Sequence, residues 1–410
     1  MKQNDKKRND KKKRWIKTRH GIVRNILYPT LGLYSRLKYG LKLEKFAEQE
    51  KRPYLILYNH QTAFDQFFVG MAFKGPLYYL ASEDIFSNGF SSKLIEYLVA
   101  PIPIKKQTTD IRAILNCMRV SKEGGSIAIA PEGNRTYSGR TEYMSPAIAS
   151  LARKLGVPVA LFRIEGGYGV HPRWADDVRK GKMRAYVSRV ISPEEYADMT
   201  DNELFAEIKS GLYVNEAVAD AEFKHKRLAE YLERAIYVCP ECGLSEFESK
   251  GDIITCKKCS RQVRYLPTKE LEGVGFDFPF RFVLEWYDYQ ASFMNSLDVL
   301  GYTDSPIYSD VVDLYTVIPN KKKEPLAMGA SVELYGDRLV LKYDTDEILC
   351  SFSETDAVTV LGRNKLNIYH GGKIYQIKPG KRFCALKYVH TYNRYKNITA
   401  GALDSVFLGL

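Results

Sequence analysis

The stretch PYLILYNHQTAFDQ, residues 53–66, places a histidine and an aspartate directly after an apolar run. Residues 54–58, YLILY, are typical of a buried β-strand, and the residues that follow suit a turn and the start of a helix. His60 and Asp65 lie about 140° apart on a regular helix, so they can meet only across a strand–turn–helix connection. There the carboxylate would fix the imidazole tautomer and leave the other ring nitrogen as a base.

A second pair with the same spacing, His171 and Asp176 in HPRWAD, competes with the first. His171 comes from a glycine-rich loop and is followed directly by Pro172. No apolar helix follows this second pair. The strand–turn–helix context therefore favours His60 with Asp65 as the catalytic pair. A hydrogen-bonded structural histidine is the alternative for His60.

A third motif, PEGNRTYSG, spans Pro131–Gly139 and follows the strand-like run SIAIA at 126–130. Open α/β sheets bind ligands at the carboxyl ends of their strands. A loop that offers Gly133 amides beside Arg135 suits a phosphate, because guanidinium matches phosphate oxygens bidentately. Glu132 would orient Arg135 or a polar head group.

Short β-rich runs alternate with helical patterns from about residue 50 to residue 190. This alternation predicts an α/β domain with a mainly parallel or mixed sheet. The predicted strands cover 54–58, 126–130, 157–164 and 184–191. One predicted helix lies between an N-cap at Thr109 and a stop at Gly124, and two others cover 145–155 and 200–237. Between the two motifs, Lys105 and Lys106 follow a further short apolar run and add positive charge at the same edge.

The positive charge of the chain is concentrated at its start. Residues 1–24 hold eleven Lys or Arg and two Asp, a net +9 of the chain's +12. Such a segment is predicted to be disordered and to bind an anionic lipid surface, with a solvated solubility tail as the alternative. Residues 25–35, NILYPTLGLYS, supply the apolar and aromatic side chains that an interfacial segment needs.

These features indicate a peripheral protein on the cytoplasmic face of the cell membrane. No apolar run approaches the roughly 20 residues of a membrane span, and no secretory signal follows the basic start. The part beyond residue 24 is nearly neutral and lacks a basic-aromatic platform, so a nucleic-acid partner is not expected.

Four of the seven cysteines form two Cys-x2-Cys pairs, CPEC and CKKC. Two such turns complete a tetrahedral thiolate site, and four protein ligands leave no open position, so a structural Zn²⁺ ribbon is predicted. A disulfide or redox pair is the alternative. The predicted ligands are Cys239, Cys242, Cys256 and Cys259.

The last 80 residues show a different pattern, with short alternating strands separated by Gly-Asp and Gly-Gly turns. A helix over about 380–395 follows them, and an aromatic amphipathic helix over 278–298 precedes them. A small antiparallel β-sandwich or barrel with one helix is expected. This pattern resembles pleckstrin-homology-like or GRAM domains.

The first and third motifs together resemble the glycerolipid acyltransferases, the 1-acyl-glycerol-3-phosphate (lysophosphatidic acid) family. The family's Asn-His-x4-Asp motif matches Asn59, His60 and Asp65, and its Pro-Glu-Gly-Thr-Arg motif matches 131–135 with Asn134 for threonine. Lys106 stands where the family's second motif ends in arginine. In the fourth motif Pro158 matches one proline, and Leu161 replaces the other.

The resemblance, over about residues 30–200, implies acyl transfer without a covalent enzyme intermediate. His60, held by Asp65, would deprotonate the free hydroxyl of a lysophospholipid, which attacks an acyl-coenzyme A or acyl-carrier-protein thioester. The absence of a Gly-x-Ser-x-Gly elbow is consistent with this chemistry. The predicted phosphate-binding residues are Asn59, Lys106, Glu132, Gly133 and Arg135.

The predicted organisation has five parts. They are a basic disordered tail (1–24), an acyltransferase domain (25–237), a zinc ribbon (238–266), a helical linker (267–325) and a β domain similar to pleckstrin-homology or GRAM domains (326–410). The alternatives to an enzyme are a lipid-binding scaffold with the acyltransferase fold and a nucleic-acid-binding protein that uses the tail and the ribbon.

Overall fold

The computed structural model describes residues 14–47, 53–104, 110–318 and 322–402. Its amino-terminal half alternates helices and strands, as the sequence predicts. The elements are α1 (Thr18–Tyr39), β1 (Leu41–Leu43), β2 (Leu55–Tyr58), α2 (Asp65–Ala72), β3 (Leu77–Ser82), α3 (Phe90–Val99), β4 (Ile102–Ile104), α4 (Ile111–Lys122), β5 (Ser126–Ile129), α5 (Ala147–Leu155), β6 (Val159–Glu165), α6 (Gly167–Val170), β7 (Met183–Ile191), α7 (Pro193–Ala197) and α8 (Asp201–Leu212).

The strands form one sheet in the order β1-β7-β6-β2-β5-β3-β4. All neighbours pair in parallel except β6 and β7, so the mixed, mainly parallel sheet predicted from the sequence is confirmed. β2 lies at its centre, between β6 and β5. The carboxyl ends of these three strands therefore meet at one edge of the sheet.

Both faces of this sheet are covered by helices. Leu55 and Leu57 pack in a core with residues of α4, α5 and α8, whereas Ile56 and Tyr58 pack on the opposite face with α1 and α2. A strand buried on both faces is apolar at every position, which explains the uninterrupted YLILY run.

The prediction of a disordered tail over 1–24 is wrong for residues 14–24, which are ordered and include the start of α1. Residues 1–13 lie outside the described residues. The Trp15 indole donates to the Ala100 carbonyl at 3.0 Å, and the Ile16 amide donates to the Glu123 carboxylate at 3.0 Å. These contacts attach the chain before α1 to α4 and its neighbours.

Two predicted helix limits also differ. The helix expected over 200–237 ends at Leu212, because the Val214 amide donates to the Thr141 hydroxyl and the following segment continues as irregular structure. The cap of α4 is Asp110, whose carboxylate accepts from the Ala113 amide at 3.1 Å. Thr109, the predicted cap, lies outside the described residues.

The remaining residues form a two-stranded sheet, a small four-stranded sheet and a larger seven-stranded antiparallel sheet. The elements are β8 (Val238–Cys239), β9 (Gly243–Leu244), β10 (Phe247–Lys250), β11 (Ile253–Cys256), β12 (Gln262–Tyr265), β13 (Leu271–Gly273), α9 (Val283–Ser296), β14 (Tyr308–Thr316), β15 (Glu324–Leu334), β16 (Arg338–Tyr343), β17 (Asp346–Ser351), β18 (Thr355–Leu361), β19 (Lys365–His370), β20 (Lys373–Pro379) and α10 (Ala385–Thr399).

The carboxyl-terminal sheet has the order β17-β16-β15-β14-β20-β19-β18, and α10 contacts β18. An antiparallel β domain followed by one helix is thus present, as expected. It begins at β14, inside the predicted linker 267–325, and the predicted boundary at 326 falls within β15.

The small sheet, α9 and the carboxyl-terminal sheet share one buried apolar cluster with the α/β domain. Tyr137 and Trp174 of the α/β domain belong to this cluster. The Trp174 ring contacts the Tyr265 ring of β12 edge-on at 5.7 Å, and the Arg234 guanidinium donates to the Lys381 carbonyl at 2.6 Å. The later modules are therefore packed against loops of the α/β domain.

Within the described ranges, no helix is both long and apolar enough to cross a membrane.

Candidate active site

His60 and Asp65 are in contact at the carboxyl end of β2. His60 lies in the turn that leaves the strand, and Asp65 is the first residue of α2. The imidazole Nδ1 is 2.8 Å from Asp65 Oδ2. The Asp65 side chain is fully buried, while that of His60 is 22% exposed. The strand–turn–helix geometry predicted for this pair is confirmed.

Further donors hold the Asp65 carboxylate in place. The backbone amides of Gln61 and Thr62 donate to Oδ2 at 2.6 and 2.8 Å, and the Thr62 hydroxyl donates to Oδ1 at 2.7 Å. Asp65 therefore holds together the turn that precedes α2, and its negative charge in the first turn of the helix is also favoured by the helix dipole. Its orientation toward His60 is fixed by the backbone.

The environment of His60 keeps its imidazole neutral. Burial lowers the pKa of His60 below the usual 6.5, and the nearby Arg135 and Arg173 act in the same direction, while Asp65 opposes them in part. Because Asp65 can only accept, the imidazole proton lies on Nδ1. Nε2 is left as an acceptor suited to take a proton from a hydroxyl.

The PEGNR loop holds the backbone of His60 from both sides. The His60 amide donates to Glu132 Oε1 at 2.7 Å, and the Thr136 amide donates to the His60 carbonyl at 3.1 Å. Glu132 Oε2 accepts from the Glu142 amide at 2.8 Å. Burial raises the pKa of Glu132 to about 8. Both carboxyl oxygens thus accept from backbone amides, an arrangement by which Glu132 positions His60. The phosphate contact predicted for Glu132 stays a prediction.

Two other predicted phosphate ligands also have internal partners. Asn59 is fully buried, and its side-chain amide exchanges hydrogen bonds with the Ile164 backbone at 2.8 and 2.7 Å. The Gly133 amide donates to the Ala130 carbonyl at 3.0 Å, in a turn that requires its positive φ of 69°. Asn59 therefore joins β2 to β6, and Gly133 permits the tight turn. The structure argues against a phosphate contact for either.

Among the predicted ligands that the structure describes, Arg135 has a free donor. It is 9% exposed, and among the described residues its Nη1 has no hydrogen-bond partner. Burial and the proximity of Arg173 and Arg363 lower its pKa to about 10, which leaves it charged at neutral pH. An unsatisfied buried donor costs about 1–3 kcal/mol, and more when it is charged. This cost indicates a place for an anion.

Residues 42–164 match the family model described as Acyltransferase. This match agrees with the resemblance of the α/β domain to the glycerolipid acyltransferases. A curated relative, the chloroplastic 1-acyl-sn-glycerol-3-phosphate acyltransferase of Arabidopsis thaliana, is 22% identical over 192 residues, which cover 45% of this chain and 52% of the relative. The chain thus spans about half the length of this curated relative.

A solved structure is also similar to this chain. It is the crystal structure of the 1-acyl-sn-glycerophosphate (LPA) acyltransferase from Thermotoga maritima, with 18% sequence identity and a TM-score of 0.39. The similarity covers 46% of this chain and 78% of that chain.

The acyltransferase domain also contains the rejected pair His171 and Asp176, which do not form a dyad. Asp176 pairs with Arg234 at 2.8 Å and lies 3.6 Å from Arg363. Burial and neighbouring arginines lower the pKa of His171 to about 3. His171 is thus a neutral buried ring, which supports the preference for the first pair.

The sequence did not point to three further side chains near His60 or Arg135: Tyr39, Arg173 and Arg363. Tyr39 ends α1 and contacts the His171 ring at 6.0 Å. Arg173 lies between the members of the competing pair in HPRWAD, and a lone arginine there has no motif that marks it. Arg363 belongs to the carboxyl-terminal sheet, so no local pattern in the sequence connects it with His60.

The remaining motif positions are Lys106 of the second motif and Pro158 and Leu161 of the fourth. Lys106 lies outside the described residues, so its predicted role stays a prediction. Leu161 is fully buried in β6. The Pro158 carbonyl accepts from the Leu55 amide at 2.9 Å, where β6 joins β2. These two positions of the fourth motif thus lie in the sheet core.

A cleft of about 1040 Å³ opens elsewhere, beside α1, β1 and β7. Gly32, Lys42 and Arg184 are among its lining residues, and none of His60, Asp65 and Arg135 is. The cleft is therefore separate from the candidate catalytic pair.

The four cysteines of the ribbon lie together, with all Sγ atoms within 4.8 Å of one another. The Sγ atoms of Cys239 and Cys259 are 3.8 Å apart, and all the cysteines are free thiols. Four thiolates at the usual Zn–S distance of about 2.3 Å would be separated by roughly 3.8 Å. Cys239, Cys242, Cys256 and Cys259 thus fit a tetrahedral zinc site, and the separation is too long for a disulfide.

The ribbon carries four basic side chains, Lys257, Lys258, Arg261 and Arg264, and three of them pair with acidic side chains of the same module. Lys258 donates to the Leu244 carbonyl at 2.6 Å. This pairing agrees with a solvated face and gives no support to nucleic-acid binding. The ion pairs are Lys257–Glu246, Arg261–Glu241 and Arg264–Asp252.

Proposed function

We propose that this protein transfers an acyl chain from an acyl thioester to the free hydroxyl of a lysophospholipid. The acceptor is 1-acyl-sn-glycerol 3-phosphate and the product phosphatidic acid. The observation that carries the proposal is the His60–Asp65 pair with a neutral, oriented imidazole beside a buried, unsatisfied Arg135. A base next to an anion site is what a phosphate-bearing alcohol requires.

In the proposed reaction, His60 Nε2 takes the proton of the acceptor hydroxyl as its oxygen attacks the thioester carbonyl. The resulting tetrahedral intermediate collapses with cleavage of the carbon–sulfur bond. The departing thiolate takes the proton from the imidazolium, and the base is restored. Asp65 stabilises the transient imidazolium and keeps Nδ1 protonated throughout.

Binding energy for the acceptor comes from the anion site. Arg135 contacts the acceptor phosphate, and Lys106, which precedes α4 in the sequence, is assigned to the same phosphate from its position in the motif. Glu132 binds the His60 amide and so holds the imidazole in position relative to the bound acceptor. The donor is acyl-coenzyme A or an acyl carrier protein.

The proposal places the enzyme on an anionic membrane surface, at the inner face of the cell membrane. α1 and α3 pack together, and Arg19 of α1 donates to the Tyr97 carbonyl of α3 at 2.7 Å. Both helices expose apolar side chains, and the basic residues of 1–24 lead into α1 in the chain. The exposed residues are Ile22, Ile26, Leu27, Leu33, Tyr34 and Leu37 of α1 and Phe90, Leu94, Ile95, Tyr97 and Val99 of α3.

The four cysteines are proposed to bind a structural Zn²⁺ ion. A closed four-thiolate site leaves no position for substrate, so the ion supports the fold and takes no part in acyl transfer. The ribbon contacts the acyltransferase domain through Tyr265, whose hydroxyl accepts from Arg179 at 3.2 Å. The metal would thus stabilise the surface against which the site loops pack.

The test is acylation of a panel of lysophospholipids by the purified protein. Labelled acyl-coenzyme A and acyl carrier protein serve as donors, with anionic vesicles present, and products are identified by mass spectrometry. We expect phosphatidic acid from lysophosphatidic acid, and slower turnover of acceptors whose phosphate carries a further head group. Failure of every donor with every acceptor would contradict the proposal and favour the lipid-binding scaffold.

A further inference from the structure

The turn between β18 and β19 reaches from the carboxyl-terminal β domain to the acyltransferase domain. Its backbone is held at two points by the latter. Arg173 Nε donates to the Gly362 carbonyl at 2.9 Å, and the Tyr137 hydroxyl donates to the Arg363 carbonyl at 2.5 Å. Tyr137 belongs to the PEGNRTYSG segment, so this turn is attached to the loop that carries Arg135.

Arg173 connects the β18–β19 turn with the loop that carries Arg135. Its Nη1 donates to the Arg135 carbonyl at 2.8 Å, and its guanidinium lies 4.2 Å from the centre of the Tyr137 ring. The side chain is 1% exposed. A buried arginine with these partners fixes the distance between Gly362 and Arg135. The position of the turn is therefore set by the acyltransferase loop itself.

The side chain of Arg363 lies beside the candidate site. Its Nη2 is 3.5 Å from His171 Nε2, and its Nη1 is 3.6 Å from Asp176, which also pairs with Arg234. Because an arginine can only donate, Nε2 of the neutral His171 ring is the acceptor, and the ring proton lies on Nδ1. Arg363 is 37% exposed, so it faces both the protein and solvent.

Three donors on Arg135, Arg363 and His171 have no hydrogen-bond partner among the described residues. They are Arg135 Nη1, Arg363 Nε and the protonated Nδ1 of His171. Arg135 and His171 are both more than nine-tenths buried. All three groups donate and none accepts, which selects an anionic ligand with several oxygens. The charge of Arg135 lowers the pKa of both His60 and His171, so Arg135 lies near both rings and connects this group of donors with the catalytic base.

We propose that the carboxyl-terminal β domain completes the acceptor site, with Arg363 and His171 joining Arg135 to bind the phosphomonoester of the acceptor. This inference rests on the proposed function. The acceptor is favoured over the donor because His60 must reach the acceptor hydroxyl, which lies only a few bonds from the phosphate in a glycerol phosphate. The β domain is thus part of the active site and not only a packing module.

The test compares the full-length wild type with Arg363→Ala, Arg363→Lys and the control Lys373→Ala. Lys373 is exposed at the start of β20 in the same sheet, so its removal changes the charge of the domain equally. The measurements are KM for lysophosphatidic acid, KM for the acyl donor, kcat, the Kd of glycerol 3-phosphate by calorimetry and the thermal midpoint.

We expect Arg363→Ala to raise the acceptor KM and the glycerol 3-phosphate Kd about tenfold or more, with the donor KM unchanged. Arg363→Lys should recover part of the loss, because lysine keeps the charge without the planar fork. Lys373→Ala should equal the wild type. Unchanged acceptor KM and Kd in a folded Arg363→Ala, or a rise in the donor KM alone, would overturn the inference.

The binding measurement separates this inference from the proposed function. A wild type that binds glycerol 3-phosphate tenfold more tightly than Arg363→Ala, yet acylates no acceptor, would support the pocket and contradict acyl transfer. A wild type that acylates lysophosphatidic acid with the same constants as Arg363→Ala would support acyl transfer and overturn the pocket. Should Arg363→Ala unfold, a wild-type KM and Kd in folded Arg363→Lys, with kcat unchanged, would overturn the forked contact proposed for Arg363.

Discussion

At the residue scale, the site depends on how Asp65 controls His60. The carboxylate accepts from two backbone amides and one hydroxyl before it meets the imidazole, so its orientation does not depend on substrate. Glu132 and the Thr136 amide fix the backbone of His60 in the same way. A base that is oriented in advance needs little rearrangement when the acceptor binds.

Replacement of Asp65 by asparagine tests this orientation. An amide NH2 facing Nδ1 would move the ring proton to Nε2, where it blocks proton abstraction. We expect kcat to fall roughly 10²–10⁴-fold with a smaller change in KM. Asp346→Asn, at an exposed position of β17, serves as the control and should retain wild-type kcat. Wild-type kcat in Asp65→Asn would show that the carboxylate is only structural.

The pH dependence follows from the lowered pKa of His60. Burial and the two nearby arginines disfavour the charged imidazolium more than Asp65 favours it, so the ring stays neutral to lower pH than a free histidine. Activity requires the neutral ring. We expect kcat/KM to be lost as pH falls through a midpoint below 6.5, measured from pH 4.5 to 8 with vesicle-bound acceptor. A midpoint well above 6.5 would contradict this environment.

At the element scale, the paired α1 and α3 form the surface assigned to the membrane. Leu33 and Leu37 of α1 are 62% and 76% exposed, although apolar side chains of this size are usually buried. Exposed apolar side chains on two adjacent helices, next to a basic segment, match the features of interfacial helices.

We expect Leu33→Asp with Leu37→Asp to reduce binding to anionic vesicles about tenfold or more, since each buried leucine contributes about 1.5–3 kcal/mol. Vesicle sedimentation with neutral and anionic lipid measures the partition. Leu349→Asp, at a similarly exposed position of β17, is the matched control. Equal losses in both variants would place the membrane surface elsewhere.

Elements with a local cause could be predicted from the sequence. The apolar run of β2 and the turn into α2 were correct because strand, turn and helix each depend on neighbouring residues. The helix expected beyond Leu212 was wrong because a distant loop decides its end. There the Val214 amide binds Thr141 and the Glu216 amide binds Gly139. Polar composition alone does not reveal such partners.

The same distinction holds for the site. His60 and Asp65 are five residues apart in the chain, and Arg135 follows a neighbouring strand, so motif and topology predicted all three. The internal partners of Asn59 and Glu132 depend on tertiary contacts, which explains why their predicted phosphate role is not supported. Arg363 is brought to the site by another domain.

At the scale of the whole molecule, the accessory modules and the acyltransferase domain are joined by a shared core. Tyr137 and Trp174 pack in the same cluster as ribbon residues and residues of the carboxyl-terminal sheet. Loss of either module should therefore disturb the loops around His60. The ribbon has its own stabilising device, the four thiolates of its cysteines.

Zinc removal tests this coupling. We expect the purified protein to contain one zinc, and Cys256→Ser to lose it, to unfold roughly 5 °C or more below the wild type and to lose acyl transfer. Cys350→Ser, a buried cysteine of β17, should be destabilised without loss of zinc. Metal content, thermal midpoint and kcat are measured together. Full zinc content in Cys256→Ser would contradict the site.

The most direct measurement is the rate of phosphatidic acid formation from lysophosphatidic acid and acyl-coenzyme A by wild type and His60→Ala. His225→Ala, remote from the site in sequence and contacts, is the control. We expect product from the wild type and the control, and a loss of at least about 10²-fold in His60→Ala with an unchanged thermal midpoint. Equal rates in wild type and His60→Ala would contradict the assignment of His60 as the base.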